Sequence, residues 1–361
     1  MPDTVSGTAT AFFLYDVGDE IDLARVRALI ETTGPAQLTK VPASNIQYQQ
    51  PPVVIDGSTL VAPPHDHAGS RIKAFDYGVV SVALTCSLPD TWPALIAEGR
   101  ALHESETAAA TAARLCRSFL DRAAAAVARP RAAFLSEDYL VFTITGASQN
   151  PGGEELIARH GQAIAQLLRA EQAPLSAQER DEVLRHRISY LASDLMVPTW
   201  NAAFIYDTEA GAQGTIELLE YANSQLLQFR YYDQLLDTEL ARIYTQLQAR
   251  GWGRPWLGRR YTRAAHNVHS LFIDVNELTD KTENALKFAG DVYFARVFAL
   301  TGARIGLDQW KANVREKLQT LDDIYRFAVE QTSMARGEFL EFTIVAILVL
   351  ELVLFFAGIM K

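Results

Sequence analysis

The stretch AFDYGVVSVALTCSLP, Ala74–Pro89, decides the fold class. It carries no charge after Asp76, is rich in valine, alanine and leucine, and stops at a proline. That pattern predicts a long, largely buried strand. Other segments of the same character surround it. ATAFFLYDVG (Ala9–Gly18) reads as a strand ending in a turn, and PPVVIDGSTLVAPP (Pro51–Pro64) as a hairpin around Asp56–Gly57. FLSEDYLVFTITG (Phe134–Gly146), ISYLASDLMVPTW (Ile188–Trp200) and NAAFIYD (Asn201–Asp207) read as further strands.

Helical patterns alternate with these strands. Leu23, Val26, Leu29 and Ile30 line one side of a short amphipathic helix that Gly34 stops. Thr91–Ala128 is helical and alanine-rich, and Glu154–Glu171 and Ser176–His186 are helical as well. The mixture predicts an α+β head over residues 1–209.

After Gly211 the pattern becomes almost continuous helix. Leu219, Ala222, Leu226, Phe229, Leu236, Leu240, Ile243 and Leu247 follow a 3-4 spacing broken only by Asp233, the pattern of a coiled-coil seam. Further helices are expected over Leu257–Leu278, Glu283–Leu300 and from Leu307, where Leu307, Val314, Leu321 and Ala328 recur at heptad spacing. Residues 210–335 therefore form an expected helical, coiled-coil arm, whose seam packs either within the chain or between two copies.

The last residues, FLEFTIVAILVLELVLFFAGIMK from Phe339, make one C-terminal transmembrane anchor the expectation over 338–361. As a helix, the 19 residues Phe342–Met360 span about 28 Å, close to the roughly 30 Å hydrocarbon core. Thirteen of them are Leu, Ile, Val or Phe, together about −4 to −8 kcal/mol for insertion. One central acid costs roughly 2.5–3.5 kcal/mol, so insertion still wins. That acid is Glu351, which asks for a partner inside the membrane; a second copy of the helix is the expected one, with Glu341 at its entry. The N-terminus lacks a basic start and a signal-length apolar run, so the bulk is expected in the cytoplasm. Two cysteines, Cys86 and Cys116, suggest no disulfide framework.

The net charge of −10 argues against a surface that attracts nucleic acid or anionic lipid as a whole. One local exception is RGWGRPWLGRRYTRAAHNVH, Arg250–His269. Arg250, Arg254, Arg259, Arg260 and Arg263 stand there without an acid, interleaved with Trp252, Trp256 and Tyr261. Forked guanidinium groups bind phosphates and aromatic rings stack on bases, so the loop suits RNA or a lipid headgroup. It equally suits a helix connection whose arginines pair with acids such as Asp233, Asp237 or Glu239. Phosphate-loop, dinucleotide, zinc-protease and nucleophile-elbow fingerprints are missing, so no cofactor is expected. His65 and His67 in PPHDHAG offer two metal ligands without an evident third, and otherwise read as an exposed loop. The charged segment Asp181–Arg187 reads as a solvated helix end.

Several segments, in order, resemble the "required for meiotic nuclear division" family. KAFDYGVVSV (Lys73–Val82) is similar to its F-x-YG-VV strand, and ISYLASDL (Ile188–Leu195) to its I-S-x-x-x-A-x-S segment, with Ser193 one place early. LLDT (Leu235–Thr238) and the acid-bearing terminus, in which Glu341 and Glu351 match and Phe342 replaces a tryptophan, complete the likeness. The departures suggest a divergent, bacterial-type member. The resemblance implies a membrane-anchored, oligomer-forming protein without established catalysis, whose mitochondrial relatives hold ribosomes near a membrane.

Two functions are therefore expected. The first is a membrane-tethered, self-associating scaffold that contacts RNA, a ribosome or anionic lipid through the Arg250–Arg263 loop. The second is a metal-dependent hydrolytic enzyme built on His65 and His67.

Overall fold

The computed structural model of the chain describes residues 3–33, 46, 48, 50–60, 69–249, 273, 275, 276 and 292–356. Side chains are excepted at 31–33, 246–249, 325, 327–342 and 352–356. The chain divides into two compact units, one of residues 1–231 with 280–310 and one of 232–279 with 311–361.

The first unit is built on a seven-stranded sheet. Its middle strand is β1 (Val5–Asp16), flanked by β5 (Val79–Ser87) and β7 (Leu135–Ala147). Outward from β5 lie β4 (Gly69–Ala74) and β3 (Val53–Asp56); outward from β7 lie β9 (Ala202–Tyr206) and β8 (Leu195–Pro198). All neighbours are antiparallel except β7 and β9. Two-residue strands β2 (Glu20–Ile21) and β6 (Val127–Ala128) pair beside it.

Both sheet faces are covered, which explains why the strands read as nearly continuous apolar runs rather than alternating ones. On one face, Val80, Val82 and Leu84 of β5 pack with Val26 and Ile30 of α1 (Leu23–Thr33) and Leu115 and Phe119 of α3 (Glu106–Ala123). Farther along that face, Leu140, Phe142 and Ile144 of β7 meet Leu95 of α2 (Trp92–His103) and Ile164 and Leu168 of α4 (Gly153–Arg169). α5 (Ala177–Arg185) adds Val183 and Leu184 to the same cluster. Side chains alternate along a strand, so the residues between these point to the other face. There Lys73 and Ser81 meet α6 (Glu209–Ala249). α7 (Val292–Ile305) and α8 (Leu307–Phe356) follow.

The segment that announces the sheet is not all strand. Phe75–Gly78 form a turn, closed by the Gly78 N–H donating to the Phe75 carbonyl, and β5 begins only at Val79. Gly78 holds φ +84, and a Cβ there would lie 1.9 Å from the Gly18 carbonyl oxygen. Glycine alone satisfies both demands. The expected hairpin at Asp56–Gly57 is instead a single 3-10 turn, Gly57–Thr59, capped by the Asp56 carboxylate on the Ser58 N–H. The expected helix over Thr91–Ala128 breaks into two where the Ser105 hydroxyl accepts the Ala108 N–H. Residues 188–194 are a loop rather than a strand: the buried Asp194 carboxylate accepts the N–H groups of Tyr190 and Leu191 at 2.7 and 2.6 Å. That side-chain turn competes with strand pairing, of which only the Ile188–Met196 bridge remains.

The helical arm differs from its expectation at its start. Residues 217–229 of α6 are buried on every side, not along one seam. The division between units falls within α6, after Tyr231, rather than ahead of the helix. A coiled coil is therefore not supported by the described residues. In the second unit, Lys317 of α8 reaches Asp233 at 2.8 Å and Asp237 at 2.7 Å. Asp233, the one break in the apolar spacing, thus has its cation on a neighbouring helix. Val314, Leu318 and Leu321 are buried on α8 at 4-3 spacing.

The transmembrane helix expected over 338–361 is likewise not supported here: among the described residues no helix is long and apolar enough to cross a membrane. The described side chains of the segment are Thr343–Glu351, and all of them are exposed.

Phe142→Ala should lower unfolding stability by about 3–5 kcal/mol, since it opens a cavity in a fully packed face. Gly78→Ala should also destabilise clearly, while Gly69→Ala, whose added methyl meets nothing within 4 Å, should stay within about 0.5 kcal/mol of wild type. Urea unfolding of the three variants checks this ranking.

Candidate functional site

The densest polar chemistry among the described residues lies inside the first unit, where α6 crosses the sheet. Glu220 has no solvent exposure. Its Oε2 takes the Lys73 ammonium at 2.6 Å and an Arg71 guanidinium nitrogen at 3.1 Å. Its Oε1 accepts the Ser81 hydroxyl at 2.7 Å. Glu217, one turn earlier, lies 3.8 Å from Lys73 and accepts the Tyr48 hydroxyl at 3.4 Å. One turn beyond Glu220, Ser224 shares a hydrogen bond of 2.7 Å with Tyr77. A turn farther, Gln228 donates to Asp16 at 3.4 Å.

Local structure explains the convergence. Arg71 and Lys73 are two apart on β4, so they share a face, and Lys73 pairs in register with Ser81 on β5. Tyr77 leaves the turn that Gly78 permits, with its ring stacked on Phe75 at 5.2 Å. Glu217, Glu220, Ser224 and Gln228 follow a spacing of 3, 4 and 4 along one side of α6, which is the period of a helix face.

A second, smaller network closes the row. Arg131 donates to the buried Asp16 at 2.9 Å, also pairs with Asp19, and stacks 3.8 Å above the Tyr231 ring. Arg129 pairs with Asp19 as well.

Burial governs the electrostatics. For Glu220 it pushes the carboxyl up, but Lys73 and Arg71, with the hydrogen bonds from Lys73 and Ser81, outweigh it and hold the group below its ordinary 4.5. For Asp16 burial prevails over the Arg131 and Gln228 bonds, and the carboxyl is raised. Tyr48 and Tyr77 are pushed far up, chiefly by burial, and so stay protonated donors. Two cations, Arg71 and Lys73, face two acids, Glu217 and Glu220, so the cluster is balanced as it stands. Closed and charge-matched, it fixes how α6 sits on the sheet.

Most of the residues singled out from sequence fall outside the described part of the chain. Arg250, Arg254, Arg259, Arg260, Arg263, Trp252 and Trp256 lie outside the described residues, as do His65 and His67. The Glu341 side chain lies outside them too, and Glu351 is exposed on α8. No group of three or more His, Cys, Asp or Glu able to hold a metal occurs among the described residues. The charged segment at 181–187 lines a groove of about 560 Å³ between α4 and α5. Its arginines are engaged there, Arg180 by Asp181, Arg185 by Glu182 and Arg187 by Glu154.

Lys73→Met should cost about 3–5 kcal/mol, because it strands Glu220 in the interior. Lys73→Met with Glu220→Leu should recover most of that loss, since apolar groups of similar size replace a buried pair at little cost. Acid stability carries the sign of the Glu220 shift. Its folded carboxyl is lowered, so its contribution is complete above 4.5 and is lost as pH falls through the lower folded value. Asp16, raised in the fold, works in the opposite sense over its own range. Below pH 4.5 the double variant should therefore lose less stability per pH unit than wild type, as denaturant melts at stepped pH would show.

The chain is similar to a curated protein of Methanocaldococcus jannaschii named "Uncharacterized protein MJ0711", at 25% identity over 219 residues. That alignment covers 60% of this chain and 66% of the relative, just under two thirds of its length. No solved structure matches the chain. Residues 6–213, from β1 into the start of α6, match the family described as "Uncharacterized protein MJ0711, N-terminal domain". The cations of the cluster thus fall inside the matched range and its acids beyond it. With more than half of its residues in that match, the chain belongs to the MJ0711 N-terminal domain family.

Proposed function

We propose that this protein is a membrane-tethered, self-associating scaffold. In this reading the mixed α/β head and the helical arm act on the cytoplasmic side, and residues 342–360 form the anchor. One observation carries the reading. Ile344, Val345, Ile347, Leu348, Val349 and Leu350 of α8 are each 52–58% exposed. Consecutive helical residues point in all directions, so this helix offers apolar surface all round. Water does not tolerate such a surface, whereas hydrocarbon or companion helices do. Residues 352–360, which complete the span, lie outside the described side chains and enter on their composition alone.

Glu351 supports the self-associating part. It stands directly after the exposed apolar run, and in hydrocarbon it needs a hydrogen-bonding partner. A second copy of the same helix brings one to the same depth. The resemblance to the meiotic nuclear division family agrees with this, and adds contact with RNA, a ribosome or anionic lipid through the Arg250–Arg263 loop. The charge-balanced interior cluster favours a binding role over a catalytic one.

The test is fractionation after carbonate washing. Removing residues 338–361 should move the protein from the pellet to the supernatant; continued pelleting sinks the anchor. Glu351→Leu should stay in the membrane yet run as a smaller species by mass photometry in mild detergent, and an unchanged mass rejects the subunit contact. Arg259→Glu with Arg260→Glu should weaken RNA or anionic-vesicle binding with a shallower salt slope.

A further inference from the structure

We propose that Arg71, Lys73 and Ser81 form an oxyanion-binding site on the sheet, which Glu220 of α6 fills from within the same chain. Three observations carry this, none of them part of the membrane reading.

The first is the donor geometry. An ammonium, a guanidinium and a hydroxyl meet one carboxylate and occupy both of its oxygens, at 2.6, 3.1 and 2.7 Å. Mixed charged and hydroxyl donors around one anionic group are how proteins hold free carboxylates and phosphates. The second is an excess of donors. Arg71 Nε is buried and has no hydrogen-bond partner among the described residues. The Glu220 carboxylate, held by the three donors already present, does not engage this nitrogen. A tetrahedral oxyanion brings further acceptors to such a spot. The third is the division between the two sides. The three donors to Glu220 lie on β4 or β5, and the acid that meets them lies on α6.

Stability alone does not explain the charges. A buried ion pair holds a fold no better than apolar side chains of the same volume. The sheet here keeps two cations under a helix that could have met it with leucine. A cationic cradle that a helical carboxylate occupies is the arrangement of a ligand site closed in cis. The ligand class is a small oxyanion, free or at the end of a larger molecule, and its entry requires the first part of α6 to give way.

The experiment is rescue by small anions in the full chain. Glu220→Ala empties the cradle and leaves its donors. Thermal unfolding of this variant is followed in acetate, inorganic phosphate and chloride at equal ionic strength. The variant should gain about 2–4 °C or more in acetate or phosphate over chloride, saturably, while wild type, its cradle filled, gains none beyond the general salt effect. The anion with the larger gain identifies the site as one for carboxylates or for phosphates. Adding Arg71→Ala to Glu220→Ala should abolish the gain. Equal behaviour in all three salts, or an equal gain in wild type, overturns the proposal. If Glu220→Ala does not fold in chloride, dilution from denaturant into acetate or phosphate should restore its near-ultraviolet circular dichroism, and failure in both anions overturns it as well.

Discussion

A carboxylate without solvent contact has to be neutralised, and much of the first unit depends on how Glu220 meets that demand. Its partners sit on two adjacent strands held in register by the ladder between β4 and β5. Meeting Lys73, Arg71 and Ser81 together constrains both the rotation and the axial position of α6. With that position set, Ser224 falls opposite Tyr77 and Gln228 opposite Asp16. Apolar packing alone tolerates small slides of a helix on a sheet; a row of matched polar pairs does not. The turn at Phe75–Gly78 belongs to the same constraint, because it returns the chain so that Ser81 lies beside Lys73. Gly78 is the residue that makes this turn possible.

The same row ties the start of α6 to the sheet. The matched range ends as α6 begins, although residues 217–228 of that helix are the ones that meet the polar side chains on the sheet's second face. Conventional domain logic separates a head from an arm at such a point, where mixed strands and helices give way to continuous helix. Here the helix belongs to the head for its first turns and to the second unit thereafter.

Much of the fold was legible in residue patterns. β1, β5, β7 and β9 were evident from apolar runs bounded by turn residues, α1 from its 3-4 spacing, and α4 from a helical pattern. The errors have specific causes. Asp56, Ser105 and Asp194 each spend a side-chain oxygen on backbone N–H groups, and so convert an expected hairpin, helix and strand into a capped turn, a helix break and a loop. The candidate site was less legible. Lys73 and Tyr77 stood in or beside a segment with a clear strand pattern, but Glu217, Glu220, Ser224 and Gln228 lie opposite an apolar stripe, which is the pattern of a water-facing helix side. Periodicity reports that a face is polar. It does not report whether water or another polar surface meets that face.

The sequence by itself determined the mixed α/β class of the head, the long helices after it and the apolar run near the C-terminus. Those features depend on neighbours a few residues apart, where strand alternation and helical spacing act directly. Tertiary structure decided that α6 is interior for its first half, that its acids face cations from β4, and that Asp233 has Lys317 as its counter-ion. The reason is range. Lys73 and Glu220 are distant in sequence, and their attraction becomes strong only once folding has removed the water between them.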